Sequence, residues 1–169
     1  MDTRLVAAAC LLATAAPALA ADRQVGKGKQ YATIQSAVDA ADPGDRVVVA
    51  KGVYRENVSF SDKDGLTFVG RGAVWDGRLS RDTWGDCLSF AANGVTLEGF
   101  TFRNGGFHVR SSGEGITVRR CVSRNAGFGA FRLIASDQLE ATLRLFDQSR
   151  GAKGRHHFAT HRPGIQQMF

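Results

Sequence analysis

One spacing limits what this chain can fold into. The run Val95-Thr-Leu-Glu-Gly-Phe-Thr-Phe-Arg-Asn104 is answered 21 residues later by Ile116-Thr-Val-Arg-Arg-Cys-Val-Ser-Arg-Asn125. Leu66-Thr-Phe-Val-Gly70 matches the first five positions, and Leu139-Glu-Ala-Thr-Leu-Arg-Leu-Phe-Asp-Gln148 matches at a step of 23. Shorter apolar runs lie between them: Leu88-Ser-Phe90, Phe107-His-Val109 and Phe131-Arg-Leu-Ile134. Self-similarity at a fixed step of this size points to a solenoid, because one coil cannot bury its apolar face and stacked coils can. Val95 over Ile116, Leu97 over Val118 and Phe100 over Cys121 are then inward columns. Asn104 over Asn125 is an amide ladder at a corner, where Asn tolerates left-handed backbone. An antiparallel β-sandwich also has many short strands with Gly-rich turns, but it does not require Arg-Asn to recur at a set distance.

Ahead of the repeat, Thr33 is suited to an N-cap, and Ile34, Ala37, Val38 and Ala41 share one helical face. Pro43-Gly44 stops the helix, so a short helix is expected over about 33–41. The β-branched run Arg46-Val-Val-Val-Ala50 reads as a strand, Lys51-Gly52 as a turn, and Val53-Tyr54 as renewed extended chain. Together these segments make an all-β solenoid with a short N-terminal capping α-helix.

The stretch Ala32-Thr-Ile-Gln-Ser-Ala-Val-Asp-Ala-Ala, with Pro-Gly-Asp-Arg-Val-Val-Val-Ala and Gly-Val-Tyr-Arg-Glu-Asn57 after it, resembles a known opening. It is similar to the N-terminal cap and first coil of right-handed parallel β-helix proteins of the pectin lyase-like superfamily. The resemblance covers about 31–148 and is strongest over 31–57. It implies a right-handed parallel β-helix, polysaccharide processing, and no organic cofactor; Ca²⁺ enters only through the family. The Gly-His-Gly and Asn-Thr-Asp motifs of polygalacturonases and the Asp-Phe-Ile-Phe-Gly of pectin methylesterases are absent, so no catalytic set carries over. The periodicity ends at Gln148, fewer coils than family enzymes usually have, which reads as a truncated relative.

Residues 1–20 combine Arg4, an apolar run from Leu5 to Ala16, and Ala18-Leu19-Ala20. This is the pattern of a secretory signal peptide cleaved near Ala20. The run is too short for a permanent membrane span, and the expected destination is secreted or periplasmic. Residues 21–30 read as a polar leader, 31–148 as the β-helix, and 149–169 as an irregular, disordered basic tail. Of the formal net charge of +6, Arg150, Lys153, Arg155 and Arg162 supply four in that tail, where no acid offsets them. The body therefore lacks the basic field of a nucleic-acid binder. Cys87 and Cys121 fall in different columns and read as two buried thiols rather than metal ligands. Oligomeric state has no sequence signal.

Two groups of residues could carry chemistry. Asp76, Asp82 and Asp86 lie in a Gly- and Trp-bearing stretch, and paired carboxylates serve glycoside hydrolysis. Trp75 and Trp84 beside them could form a sugar-stacking wall. Turn-forming aspartates and packed tryptophans are the plainer reading. By alternation, Thr96, Glu98, Arg103, Arg110, Arg119 and Arg124 face solvent, with Glu98 near Arg119 and Arg103 near Arg124. Elimination from a uronic acid needs cations against the carboxylate and a base for the α-proton. Arg103, Arg110, Arg119, Arg124 and His108 could supply these, against the plainer reading of a solvated charged face. Ser61-Asp-Lys-Asp-Gly65 lacks the last acidic ligand of a Ca²⁺ loop and reads as a turn. His156, His157 and His161 sit in the basic tail without a helical pattern and are not assigned a metal. The expected partner is an acidic polysaccharide or oligosaccharide. The chain acts on it by lyase or hydrolase chemistry or, alternatively, binds it without turnover.

Overall fold

The computed structural model describes residues 20–78, 85–133, 140–146 and 166–168. Residues 1–19 of the expected signal peptide (1–20), Asp82, Trp84 and most of the expected tail lie outside them. The chain is a parallel β-solenoid of about five turns. Each full turn contributes to three parallel ladders. The first ladder contains β1 (Asp22–Val25), β2 (Arg46–Val49), β5 (Thr67–Gly70), β8 (Thr96–Glu98), the start of β10 (Thr117–Leu133) and β11 (Glu140–Phe146). The second stacks β3 (Gly52–Tyr54), β6 (Ala73–Asp76), the start of β9 (Thr101–Ser111) and the middle of β10. The third stacks β4 (Val58–Ser61), β7 (Leu88–Ala91), the end of β9 and the end of β10.

The repeat read from the sequence is the register of the stack. Thr96 pairs with Thr117 and Leu97 with Val118, while Thr117 pairs with Glu140, which reproduces the steps of 21 and 23. Val95, Leu97, Phe100, Ile116, Val118 and Cys121 are all buried. Each large side chain so placed contributes about 1.5–3 kcal/mol relative to exposure. Asn125 donates Nδ2 to Asn104 Oδ1 at 2.8 Å, and φ is 54° and 52° at these residues. A second corner column is made of glycines. Gly44, Gly65 and Gly94 each donate their N–H to a carbonyl one coil on, Asp64, Asn93 and Glu114 respectively, each at 2.8 Å. Their φ values, and that of Gly115, lie between 65° and 85°, a region that a Cβ penalises.

The helix α1 is Ile34–Asp39, shorter than the 33–41 expected. Thr33 is its N-cap, its hydroxyl accepting from the Ser36 N–H at 3.2 Å. The Glu56 carboxylate accepts from the Ile34 and Gln35 N–H groups at 2.9 and 3.0 Å, placing negative charge at the positive helix end. Ile34, Ala37 and Val38 are buried, so α1 closes part of the core.

The stack differs from expectation at both ends. β1 lies within residues 21–30, so this stretch is not only a leader. Val25 is fully buried and the Asp22–Val25 backbone pairs with Arg46–Val49. Within the expected tail, β12 (Gln166–Met168) runs antiparallel to Phe131–Leu133 of β10. The step between turns is also not constant. Thr67 pairs with Thr96 and Val58 with Leu88, so the second turn is eight or nine residues longer than the 21-residue step. The surplus lies between β6 and β7. Its ends are held together: Gly85 N–H donates to the Gly77 carbonyl at 3.1 Å, and Gly77 N–H to Arg103 at 2.9 Å.

Candidate functional site

The true insertion begins after Asp76, because Ala73–Asp76 is a ladder strand. This overturns the expectation of a Trp75 sugar wall. Alternation turns Trp75 inward, where it is fully buried and stacks on Phe102 at 5.7 Å between ring centres. Its indole N–H donates to the Glu56 carbonyl at 3.1 Å. Trp84 and Asp82 lie outside the described residues.

Asp76 closes the asparagine ladder. Its Oδ1 accepts from Asn104 Nδ2 at 3.1 Å and from the Arg78 N–H at 3.2 Å. Its Oδ2 accepts from Arg103 Nε at 2.9 Å, with Arg55 Nε 3.8 Å away. Burial alone would raise this carboxyl's pKa. The hydrogen bonds from Asn104, Arg78 and Arg103, with the Arg103 charge, outweigh burial and hold it below the ordinary value. A carboxylate held this way is a poor proton acceptor, so its role is to order the corner.

Asp86 stands at the far foot of the insertion. Asn57 donates to its carbonyl. Its Oδ1 accepts from the Phe107 N–H at 2.8 Å, and its Oδ2 pairs with Arg110 at 2.6 Å. Glu98 pairs with Arg119 at 2.8 Å and with Arg120 at 3.2 Å. Arg124 is exposed in register with Arg103. The outward arginines thus fall where alternation placed them, and three acids already engage Arg103, Arg110 and Arg119.

His108 does not join the outward arginines. It is fully buried, stacked on Phe102 at 5.8 Å, with Nδ1 2.8 Å from Ser123 Oγ and Nε2 unpartnered. It sits one position before Val109 in the column that also holds Cys87 and Ala130, all interior. Burial lowers its pKa to about 4. An inward imidazole cannot reach a glycan on the outer face, which corrects its assignment as a base. Cys87 and Cys121 are buried free thiols. Burial drives both pKa values up, that of Cys121 to about 11.

Alternation alone did not reveal the outer face of the third ladder. Register puts Ser59 beside Ser89, Ser89 beside Arg110 and Arg110 beside Arg132. A groove of about 440 Å³ lies over this row, lined among others by Ser59, Phe60, Ser61, Ser89, Phe90 and Arg110. The row was hidden because its steps are uneven, the long turn displacing Ser89 from Ser59. At its Arg110 end, Phe107 has the Arg110 and Arg132 guanidinium groups 5.4 and 5.9 Å from its ring centre.

No chemistry-bearing cluster of three or more metal-ligand side chains occurs among the described residues, and no helix there is long and apolar enough to cross a membrane. The fold defines the class as a parallel β-solenoid. No family model matches the chain, and no curated protein or solved structure matches it.

Proposed function

We propose that this is an exported, right-handed β-helix protein that binds an acidic glycan along the outer face of its third ladder. The observation carrying this reading is the groove, which serines, two phenylalanines and an arginine line together. Sugar recognition uses such a mixture, with polar groups fixing orientation and apolar faces supplying area. Its volume lies within the usual range for ligand sites, about 300–1,000 Å³. The resemblance of 31–57 to the pectin lyase-like cap supports a polysaccharide ligand, and the segment 1–20 supports export. Binding is favoured over turnover because both Asp76 oxygens are engaged by Asn104, Arg78 and Arg103 and His108 is interior.

The test is affinity electrophoresis and calorimetry of the mature protein with polygalacturonate and alginate, using dextran as the neutral control. Retardation by the acidic polymers alone, weakened by Arg110→Gln, is expected. Ultraviolet absorbance from unsaturated product would replace binding with lyase action. Equal behaviour with dextran would sink the acidic ligand.

A further inference from the structure

The Arg110 end of the groove adjoins an irregularity in the third ladder. Between Ala126 and Gly129 the pairing of β10 with β9 slips by one residue, a bulge in Ala126-Gly-Phe-Gly129. Bulges re-aim side chains, and this one turns Phe128 out of the stack. Phe128 is 70 % exposed, the most exposed large apolar side chain among the described residues. Its ring lies 6.0 Å from that of Phe107, tilted by 38°. It passes over Gly106, where an added Cβ would stand 3.3 Å from Phe128 Cδ2 and 3.1 Å from Asp86 Oδ1. The exposed ring is thus propped beside the Asp86–Arg110 pair at the groove's end.

The charges around it decide its occupant. Arg110 is neutralised by Asp86. Arg132, next to Arg110 in register, has no acidic partner among the described residues and lies against the Phe107 ring. An exposed phenyl ring and a guanidinium, both set against Phe107 and the latter without an acidic partner among the described residues, complement a pyranose that carries a carboxylate. The C–H face of the sugar covers the phenyl ring, and the carboxylate meets the guanidinium in a two-point contact.

We infer that Phe128, with Arg132, forms a stacking subsite for one uronate unit at the end of the groove. This rests on the acidic-glycan reading and extends it, because it names the contact that would hold one sugar unit at the Arg110 end of the groove. A second copy of this protein docking ring to ring is the competing occupant.

The experiment compares wild type, Phe128→Ala, Phe128→Trp and Arg132→Gln by calorimetry with hexameric galacturonate and guluronate, with circular dichroism to verify the fold. Phe128→Ala is expected to lose about tenfold in affinity, roughly the equivalent of one good stacking contact. Phe128→Trp is expected to retain affinity, and its indole emission to shift on titration. Arg132→Gln is expected to weaken the uronates and leave dextran unaffected. The subsite is overturned if Arg110→Gln weakens uronate binding while Phe128→Ala stays within twofold of wild type; the groove reading then stands alone. Absence of uronate binding by wild type overturns both. A Phe128-dependent dimer by sedimentation overturns the subsite in favour of self-association.

Discussion

Asn125 donates a side-chain hydrogen bond to Asn104 one rung away, at 2.8 Å, and Asn104 donates one in turn to Asp76 at 3.1 Å. Both asparagines have left-handed backbone. Replacing Asn104 by Ala removes both bonds and leaves a Cβ in a backbone region costing about 1–2 kcal/mol. With about 0.5–1.5 kcal/mol for each lost hydrogen bond, Asn104→Ala is expected to destabilise by about 2–5 kcal/mol. Asn104→Gly should cost less, since it keeps the backbone. Urea denaturation of both variants checks the order.

Asp76 should set the acid limb of stability. Its folded pKa lies below the ordinary 3.8. Its contribution is therefore present above that value and lost as pH falls through the folded pKa. Asp76→Asn is expected to cost about 1–3 kcal/mol at neutral pH, and progressively less as pH falls below 3.8, where wild type loses the same contribution. Denaturation midpoints from pH 2 to 7 measure this.

His108 acts in a separate window. Its folded pKa of about 4 lies below the ordinary 6.5. The unfolded chain takes up this proton first, so stability is full above 6.5, falls as pH drops from 6.5 to 4, and levels off below. The full drop is up to about 3 kcal/mol. His108→Phe combined with Ser123→Ala, which leaves no orphaned hydroxyl, should flatten this window and leave the Asp76 limb in place.

Arg120 occupies the repeat position of Gly99, with φ of 53° against 75° for the glycine. Arg120→Gly should relieve strain of about 1–2 kcal/mol. It loses one exposed contact to Glu98, worth less than about 1 kcal/mol. A small net stabilisation is expected in thermal denaturation. A lower midpoint would show that the Glu98 contact outweighs the strain.

The fold was legible where equivalent residues recur at equal distance. Val95, Ile116, Asn104 and Asn125 fall where their spacing put them, because a parallel stack turns sequence offset into position. Thr33 and Pro43-Gly44 marked the helix through local chemistry. Glu56, which completes the helix cap, was not legible, because it lies about twenty residues away and only the closed turn brings it near. The site was less visible for the same reason. Ser59, Ser89 and Arg110 form a row only after the long turn is allowed for, and Trp75 is available only if Ala73–Asp76 is a loop rather than the ladder strand it is. Phe128 depends on a one-residue slip in pairing, which no periodic reading anticipates.

The hydrogen bond from Gly85 to Gly77 gives the excursion between β6 and β7 a closed neck, and the rungs on either side are set without reference to what the neck carries. Loop-closure cost rises only slowly with length, by about 0.6 kcal/mol for each doubling. The scaffold therefore has a port, a place beside the Asp86–Arg110 pair where sequence can be lengthened or exchanged while the stack keeps its register. A peptide grafted between Gly77 and Gly85 should therefore leave the pairing of the flanking rungs unchanged.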